Sequence, residues 1–268
     1  MQGLFRSFFT VSFYTFLSRI LGFVRDIFIA KFLGSTVTSD AFFVAFRLPN
    51  FFRRVLAEGA YSAALIPVFS GVVIDSKDDH EAADFVENTM SLLLFVTVIL
   101  TFVFYFGMPF IIQILAPGFS ENKEAFDLAV NFGKIIFPYL IFISLVAHFT
   151  SILNVHGKFA AGAFSPVILN ISFILSLFVL TPQLSSAGHA LAYGVLIGGL
   201  FQFIFMYQAV LKFYRPRIRI PNLNQKLRKF FRLFFPGVIG SGFIQLNIII
   251  GTIIASFLPV GAISHIYY

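Results

Sequence analysis

Several uninterrupted apolar runs in this chain exceed the roughly 18–20 residues that a helix needs to cross a hydrocarbon core. A segment buried that way must satisfy its own backbone, so the runs constrain the fold more than any motif does. Composition agrees. Of 268 residues, 58% are hydrophobic and 12% charged, whereas a soluble domain carries about 25% charge; mean hydropathy is +0.90. The expectation is an all-α polytopic membrane protein. Cysteine is absent, which removes disulfides and thiolate metal ligands. Trp is absent too, so anchoring at the interface falls to Tyr, Lys and Arg. Arg19 and Arg25 follow the first apolar run with no small-residue cleavage site between, which makes that run a retained helix rather than a signal peptide.

The pattern predicts helices over about residues 8–33, 41–74, 90–115, 132–154, 160–180, 187–213 and 235–258, with an eighth beginning at the end of the chain. Residues 1–213 then form a first lobe of six helices, 214–234 a basic cytoplasmic segment, and 235–268 the start of a second lobe. The second helix is too long for one straight crossing, so bends are expected at Pro49 and Pro67. Lys212 to Arg232 holds eight basic residues and no acid, and the rest of the chain sums to −1. Counting Lys and Arg on the two sides puts the N-terminus in the cytoplasm, eleven against three.

Within the basic stretch, Leu223, Leu227, Phe230, Phe231 and Phe234 fall at helical spacing with Lys226, Arg228, Lys229 and Arg232 between them. The expectation is a separate amphipathic helix over 222–235, lying on anionic membrane lipids. A topology signal accounts for these cations, so no nucleic-acid partner is expected. His80 and Asp84 share helical spacing in the acidic stretch 75–87, but nothing in the sequence buries them. That stretch reads as a solvated loop rather than a metal site. His148 reads as a hydrogen-bonded packing residue rather than a proton relay, and Gly194-x-x-x-Gly198 as close helix packing.

Against this background the stretch Ser18 to Gly59 stands out. Arg19, Arg25, Asp26, Arg47, Arg53, Arg54 and Glu58 sit in otherwise apolar sequence. At mid-bilayer depth each arginine costs about 2.5–3.5 kcal/mol on insertion scales. Packing alone does not explain five of them. Arg19 and Arg25 are separated by about 9 Å along a helix and about 120° around it. A second helix descending from the other side brings Arg53 to comparable depth, so the expectation is three guanidinium groups converging on a wet cavity. Their planar forks suit phosphate oxygens. Asp26, Asp40 and Glu58 are expected to partner the empty cluster, while Arg54 points about 100° from Arg53. The competing reading is a set of ion pairs locking the first two helices, but cations outnumber the neighbouring carboxylates. No P-loop, H-E-x-x-H or G-x-S-x-G is present, so a transporter is expected rather than an enzyme, with no cofactor or metal. An ion gradient such as sodium, the membrane potential or the substrate's own gradient must then drive it.

A weak internal echo supports a two-lobe plan. Residues 30–43 and 255–268 share Ala, Phe, Leu and Ser at four of fourteen positions and both end in two aromatics. Repeats of this kind build many transporters, with substrate held between the lobes.

SRILGFVRDIFIAKFLGS and TSDAFFVAFRLPNFFRRVLAEGAYSAALIPVF resemble the opening of the MurJ (MviN) lipid II flippases of the MOP exporter superfamily, and QLNIIIGTIIASFLPVGAISHIYY resembles it more loosely. The resemblance implies the N-terminal six-helix lobe of a MOP-type (MATE-like) transporter plus helix seven and the start of helix eight. It implies flipping of lipid II, the undecaprenyl-diphosphate-linked precursor, from the cytoplasmic to the outer leaflet of the bacterial inner membrane. The family's essential cavity arginines fall on Arg19, Arg25 and Arg53, and its supporting polar positions include Asp40, Asn50 and Glu58. Two departures stand beside it. The family's further essential arginine follows the Tyr-Tyr at which this chain stops. Gly251 also stands where some members carry a sodium-coordinating carboxylate. The resemblance therefore implies a truncated product, a split gene with a separately encoded C-terminal half, or part of a longer sequence. The rival functions are another MOP-type exporter, of drugs or other polyprenyl-linked sugars, and an inactive remnant.

Overall fold

The computed structural model describes residues 2–75 and 79–268, with the side chains of residues 2–7, 55–58, 75, 79 and 244 also left aside. Helices account for nearly all of it: α1 (Gln2–Leu33), α2 (Val37–Phe52), a π-helical segment (Arg53–Ala60), α3 (Tyr61–Asp75), α4 (Asp79–Leu115), α5 (Lys123–Ile136), α6 (Tyr139–Val155), α7 (Ala160–Val179), α8 (Ala187–Val210), α9 (Gln225–Ala255) and α10 (Ala262–Tyr267). Among the described residues, five helical stretches are long and apolar enough to cross a membrane: α4, the α5–α6 pair, α7, α8 and α9. The chain is a multi-pass membrane protein.

Local sequence sets the helix ends. Gly34 adopts φ +57 where α1 stops, a conformation glycine enters without a Cβ penalty. Thr36 and Ser39 then form a reciprocal capping box at the start of α2. Asn122, Ser186 and Asn224 cap α5, α8 and α9 in the same way, each offering a side-chain oxygen to a backbone N–H three residues on.

Helix α2 runs through the middle of the bundle, and residues 39–46 are all buried. Phe42 meets Phe132 and Phe173 edge-on. Helices α7 and α8 pack closely because a Cβ on Gly194 lies 2.3 Å from Ser176 Oγ, and one on Gly198 lies 2.8 Å from Leu169 Cδ1. Outward, Phe8, Phe9, Phe13, Phe16 and Phe23 of α1 are exposed, as a lipid-facing stripe requires.

Four expectations about the elements change. The bend in the second helix lies neither at Pro49 nor at Pro67, which sit inside α2 and α3. It follows the π-helical segment, at Gly59 with φ −121 and ψ −106. A Cβ on Gly59 lies 2.8 Å from Ser241 Oγ, so glycine is what allows the approach of α9. Secondly, α5 and α6 divide the expected fourth helix at Pro138.

The third concerns the amphipathic segment, which is not a separate helix. It is the first part of α9, continuous through Pro236. Its apolar face already has protein partners: Leu227 and Phe230 are buried, and Phe230 packs edge-on against Tyr61.

Finally, the acidic stretch is not a solvated loop. From Asp79 it is helical, and its carboxylates hold the basic segment. Arg219 donates to Asp84 at 2.8 Å and to the buried Glu87, Lys226 pairs with Glu81, and Asn88 bonds the backbone of Asn222 in both directions. The hydrogen bond to Asp84 raises the Arg219 guanidinium above its ordinary value. Residues 76–78, including Lys77, lie outside the described residues.

Candidate functional site

The charged residues of α1 and α2 meet at the seam where α9 and α10 pack on the first lobe. Arg25 is held on three sides. Its Nε and Nη2 donate to Asp26 Oδ1 at 2.9 and 2.8 Å, and its Nη1 donates to Asn170 Oδ1 at 3.0 Å. Its guanidinium also lies 5.3 Å from the centre of the Phe173 ring. Asn170 is itself fixed by donating to the Ser18 carbonyl at 3.0 Å. On α2, Asn50 Oδ1 accepts from Arg53 Nε at 3.0 Å. These contacts fix each guanidinium's plane before any ligand arrives.

Arg25 and Arg54 lie within electrostatic reach of Arg53, and Arg25, Arg47 and Arg53 lie within electrostatic reach of Tyr267, in α10. Tyr267 is placed by stacking on Phe43, with ring centres 3.9 Å apart. Arg19 does not join this group. It is exposed on α1 and, among the described residues, has no hydrogen bond or ion pair.

Asp40 also departs from expectation: it does not neutralise the arginines. It is 4% exposed, and both oxygens are taken by the first turn of α10. Oδ2 accepts from the Gly261 N–H at 2.6 Å, and Oδ1 accepts from the Ser264 N–H at 2.8 Å and from Ser264 Oγ. A carboxylate there matches the unsatisfied N–H groups of a helix start. Around it, Ser39 and Ser264 hydroxyls meet at 2.7 Å and Tyr268 donates to the Gly34 carbonyl at 3.1 Å. Close by, Gly118 N–H donates to Ser256 Oγ at 3.1 Å. Ser39 and Ser264 occupy equivalent places in the two echoing segments, so the echo becomes a contact. Pairing of equivalent residues is what a local two-fold axis produces.

The Glu58 side chain lies outside the described residues. Gly251 is exposed on α9, and a Cβ there meets nothing within 4 Å. His148 is fully buried, with Nδ1 2.7 Å from the Tyr61 hydroxyl.

Sequence reasoning grouped Arg47 and Arg54 with the cluster but did not find their partners. Both line a hollow between α2, α9 and α10 together with Asn50, Gln245 and Tyr267. The seven-residue spacing, two helical turns, was the available signal.

An all-helical bundle followed by the start of a second, echoing lobe is the fold of the first half of a MOP-type membrane protein. Likeness to a multidrug MATE transporter of the MOP superfamily in its inward-facing conformation extends to the fold alone, at TM-score 0.60 and 16% identity over 94% of this chain and 56% of that one. Residues 29–268 match the family model for the lipid II flippase MurJ, and the chain belongs to that family. A probable lipid II flippase MurJ of Aquifex aeolicus is 38% identical over 271 residues, covering 100% of this chain and 52% of that protein. One from Rickettsia prowazekii is 39% identical over 267 residues, covering 99% and 52%. A solved structure of lipid II flippase MurJ in an inward closed conformation superposes with TM-score 0.82 at 31% identity, covering 96% of this chain and 53% of that one. The chain thus spans about half the length of the curated relatives it matches.

Proposed function

We propose that this chain supplies the first lobe, and the opening helices of the second, in a flippase that carries lipid II from the cytoplasmic to the outer leaflet by alternating access. Arg25 and Arg53 hold the diphosphate, and Arg19 meets it further along α1. What supports this reading is that Arg25, held by Asp26 and Asn170, and Arg53, held by Asn50, lie within electrostatic reach of one another and of Tyr267. Like charges at such a place repel, and among the described residues Asp26 is the one carboxylate bonded to Arg25. A dianionic ligand removes that repulsion, and guanidinium forks recognise its oxygens in pairs.

The far-end seam supports the alternating-access part of this reading: Asp40, Ser39 and Gly34 are clasped to α10, and in the proposed cycle that clasp keeps the end closed. Release of the clasp is then the step that opens the outer side. An ion gradient or the membrane potential supplies the bias, the N-terminus lies in the cytoplasm, and the membrane is the bacterial inner membrane. The basic residues not paired with α4, among them Arg228, Lys229 and Arg232, face anionic lipid headgroups.

The test replaces Arg19, Arg25 and Arg53 by Lys or Ala in the full-length protein and measures growth as the native flippase is depleted. The expectation is loss of growth, with Lys failing nearly as badly as Ala at Arg25 and Arg53 because it lacks the fork. Normal growth with all three replaced overturns the diphosphate clamp.

A further inference from the structure

The hollow between α2, α9 and α10 has a volume of about 240 Å³. Its polar lining is Arg47, Asn50, Arg54, Gln245 and Tyr267, and no carboxylate lines it among the described residues. Arg47 Nε is buried with no hydrogen-bond partner among the described residues. Arg54 is exposed and has neither a hydrogen bond nor an ion pair there. Asn50 gives its oxygen to Arg53, which leaves its N–H groups to the hollow. Two guanidinium groups and two carboxamides, walled by Phe and Ile side chains, thus face a space whose only side-chain acceptors among the described residues are neutral, the Gln245 carboxamide and the Tyr267 hydroxyl.

This group is distinct from the Arg25 pair. Arg25 is tied to Asp26 and Asn170 on the α7 side of the bundle. Arg47 and Arg54 open toward α9. A buried charged donor without an acceptor, as Arg47 Nε is, is costly, so an unfilled site of this kind is poised to take an acceptor. The space admits a carboxylate or phosphate group with several waters, each with about 30 Å³ of liquid volume.

We infer that Arg47 and Arg54, with Asn50 and Gln245, form a second oxyanion subsite that grips an anionic group of the transported lipid other than the one held by Arg25 and Arg53. The inference rests on the flippase reading above. Two chemical sources fit: a carboxylate of the precursor's peptide, or the other phosphate of its diphosphate.

Binding of lipid II and of undecaprenyl diphosphate to the full-length protein in nanodiscs separates them. The Arg47→Gln/Arg54→Gln variant is expected to bind lipid II about tenfold more weakly or worse, since each charged hydrogen bond contributes about 1.5–3 kcal/mol. Weakening confined to lipid II assigns the subsite to a peptide carboxylate, and equal weakening of both lipids assigns it to phosphate. The Arg47→Lys/Arg54→Lys variant, which keeps charge and bulk, is expected to fall between the parent and the Gln variant. If both variants keep their helical circular dichroism and bind both lipids within about twofold of the parent, the subsite does not exist. Arg25→Gln/Arg53→Gln is the companion measurement. Unchanged lipid II binding there sinks the flippase reading itself, whereas loss there with no effect at Arg47 and Arg54 sinks only the second subsite.

Discussion

Replacing Asp40 by Asn tests whether the far-end seam is a closed gate. The parent carboxylate accepts from the Gly261 N–H, the Ser264 N–H and Ser264 Oγ while only 4% exposed. Asn keeps the shape and one acceptor, which preserves the contacts to Ser264 in weakened form. Its amide N–H₂ must then face the Gly261 N–H, donor against donor. One charge-assisted bond is lost and two become neutral, so the closed seam loses about 2–4 kcal/mol. That shifts the ratio of open to closed by a factor of roughly 30 to 700. The protein has no cysteine, so a single Ser39→Cys reporter has no background. Ser39 is fully buried in the seam, and its reaction with maleimide reports opening. In that background Asp40→Asn should speed labelling by at least about tenfold. A rate within about threefold of the Asp40 parent, at equal expression and helicity, refutes the gate.

Two further perturbations probe how the lobe is held. Gly194→Ala places a Cβ 2.3 Å from Ser176 Oγ, so it should cost about 1–3 kcal/mol by overpacking. A Ser176→Ala change in the same chain should restore much of that loss, read as detergent melting temperature in a double-mutant cycle. Arg219→Gln leaves the buried Glu87 without its cation. It should destabilise by about 1–3 kcal/mol, discounted because Arg219 is 40% exposed. Melting measured in low and high salt checks this, since the parent's advantage should shrink as salt screens the pair.

Much of the architecture was legible because run length is a local property. The helices over α1, α7 and α8 end within a few residues of where hydropathy and turn residues place them. The features that escaped all depend on partners distant in the chain. Asp40 was read as a counter-charge because four arginines lie within fifteen residues of it. Its real partners, Gly261 and Ser264, are more than 220 residues away and expose donors only because a helix starts there. The acids of α4 were read as unpaired because the cations that bond them, Arg219 and Lys226, come 130 residues later or more. Proline misled differently. Pro49 suggested a kink, but the helix runs on through it, widens into a π-helical segment four residues on and breaks only at Gly59.

The seam and the arginine site are linked by one short element. Helix α10 is six residues long, too short to bend internally, with Ser264 held by Asp40 at one end and Tyr267 among Arg25, Arg47 and Arg53 at the other. When the clasp on Ser264 breaks, Tyr267 must leave its stack on Phe43 and its place among the cations. Conversely, a ligand that needs the space beside Tyr267 strains the helix that Asp40 holds. The two sites therefore share a coupling free energy of either sign, and thermodynamic reciprocity makes it the same in both directions. On the proposed reading, the arginines that grip an anion and the carboxylate that shuts the far end therefore belong to one mechanical unit, joined by α10.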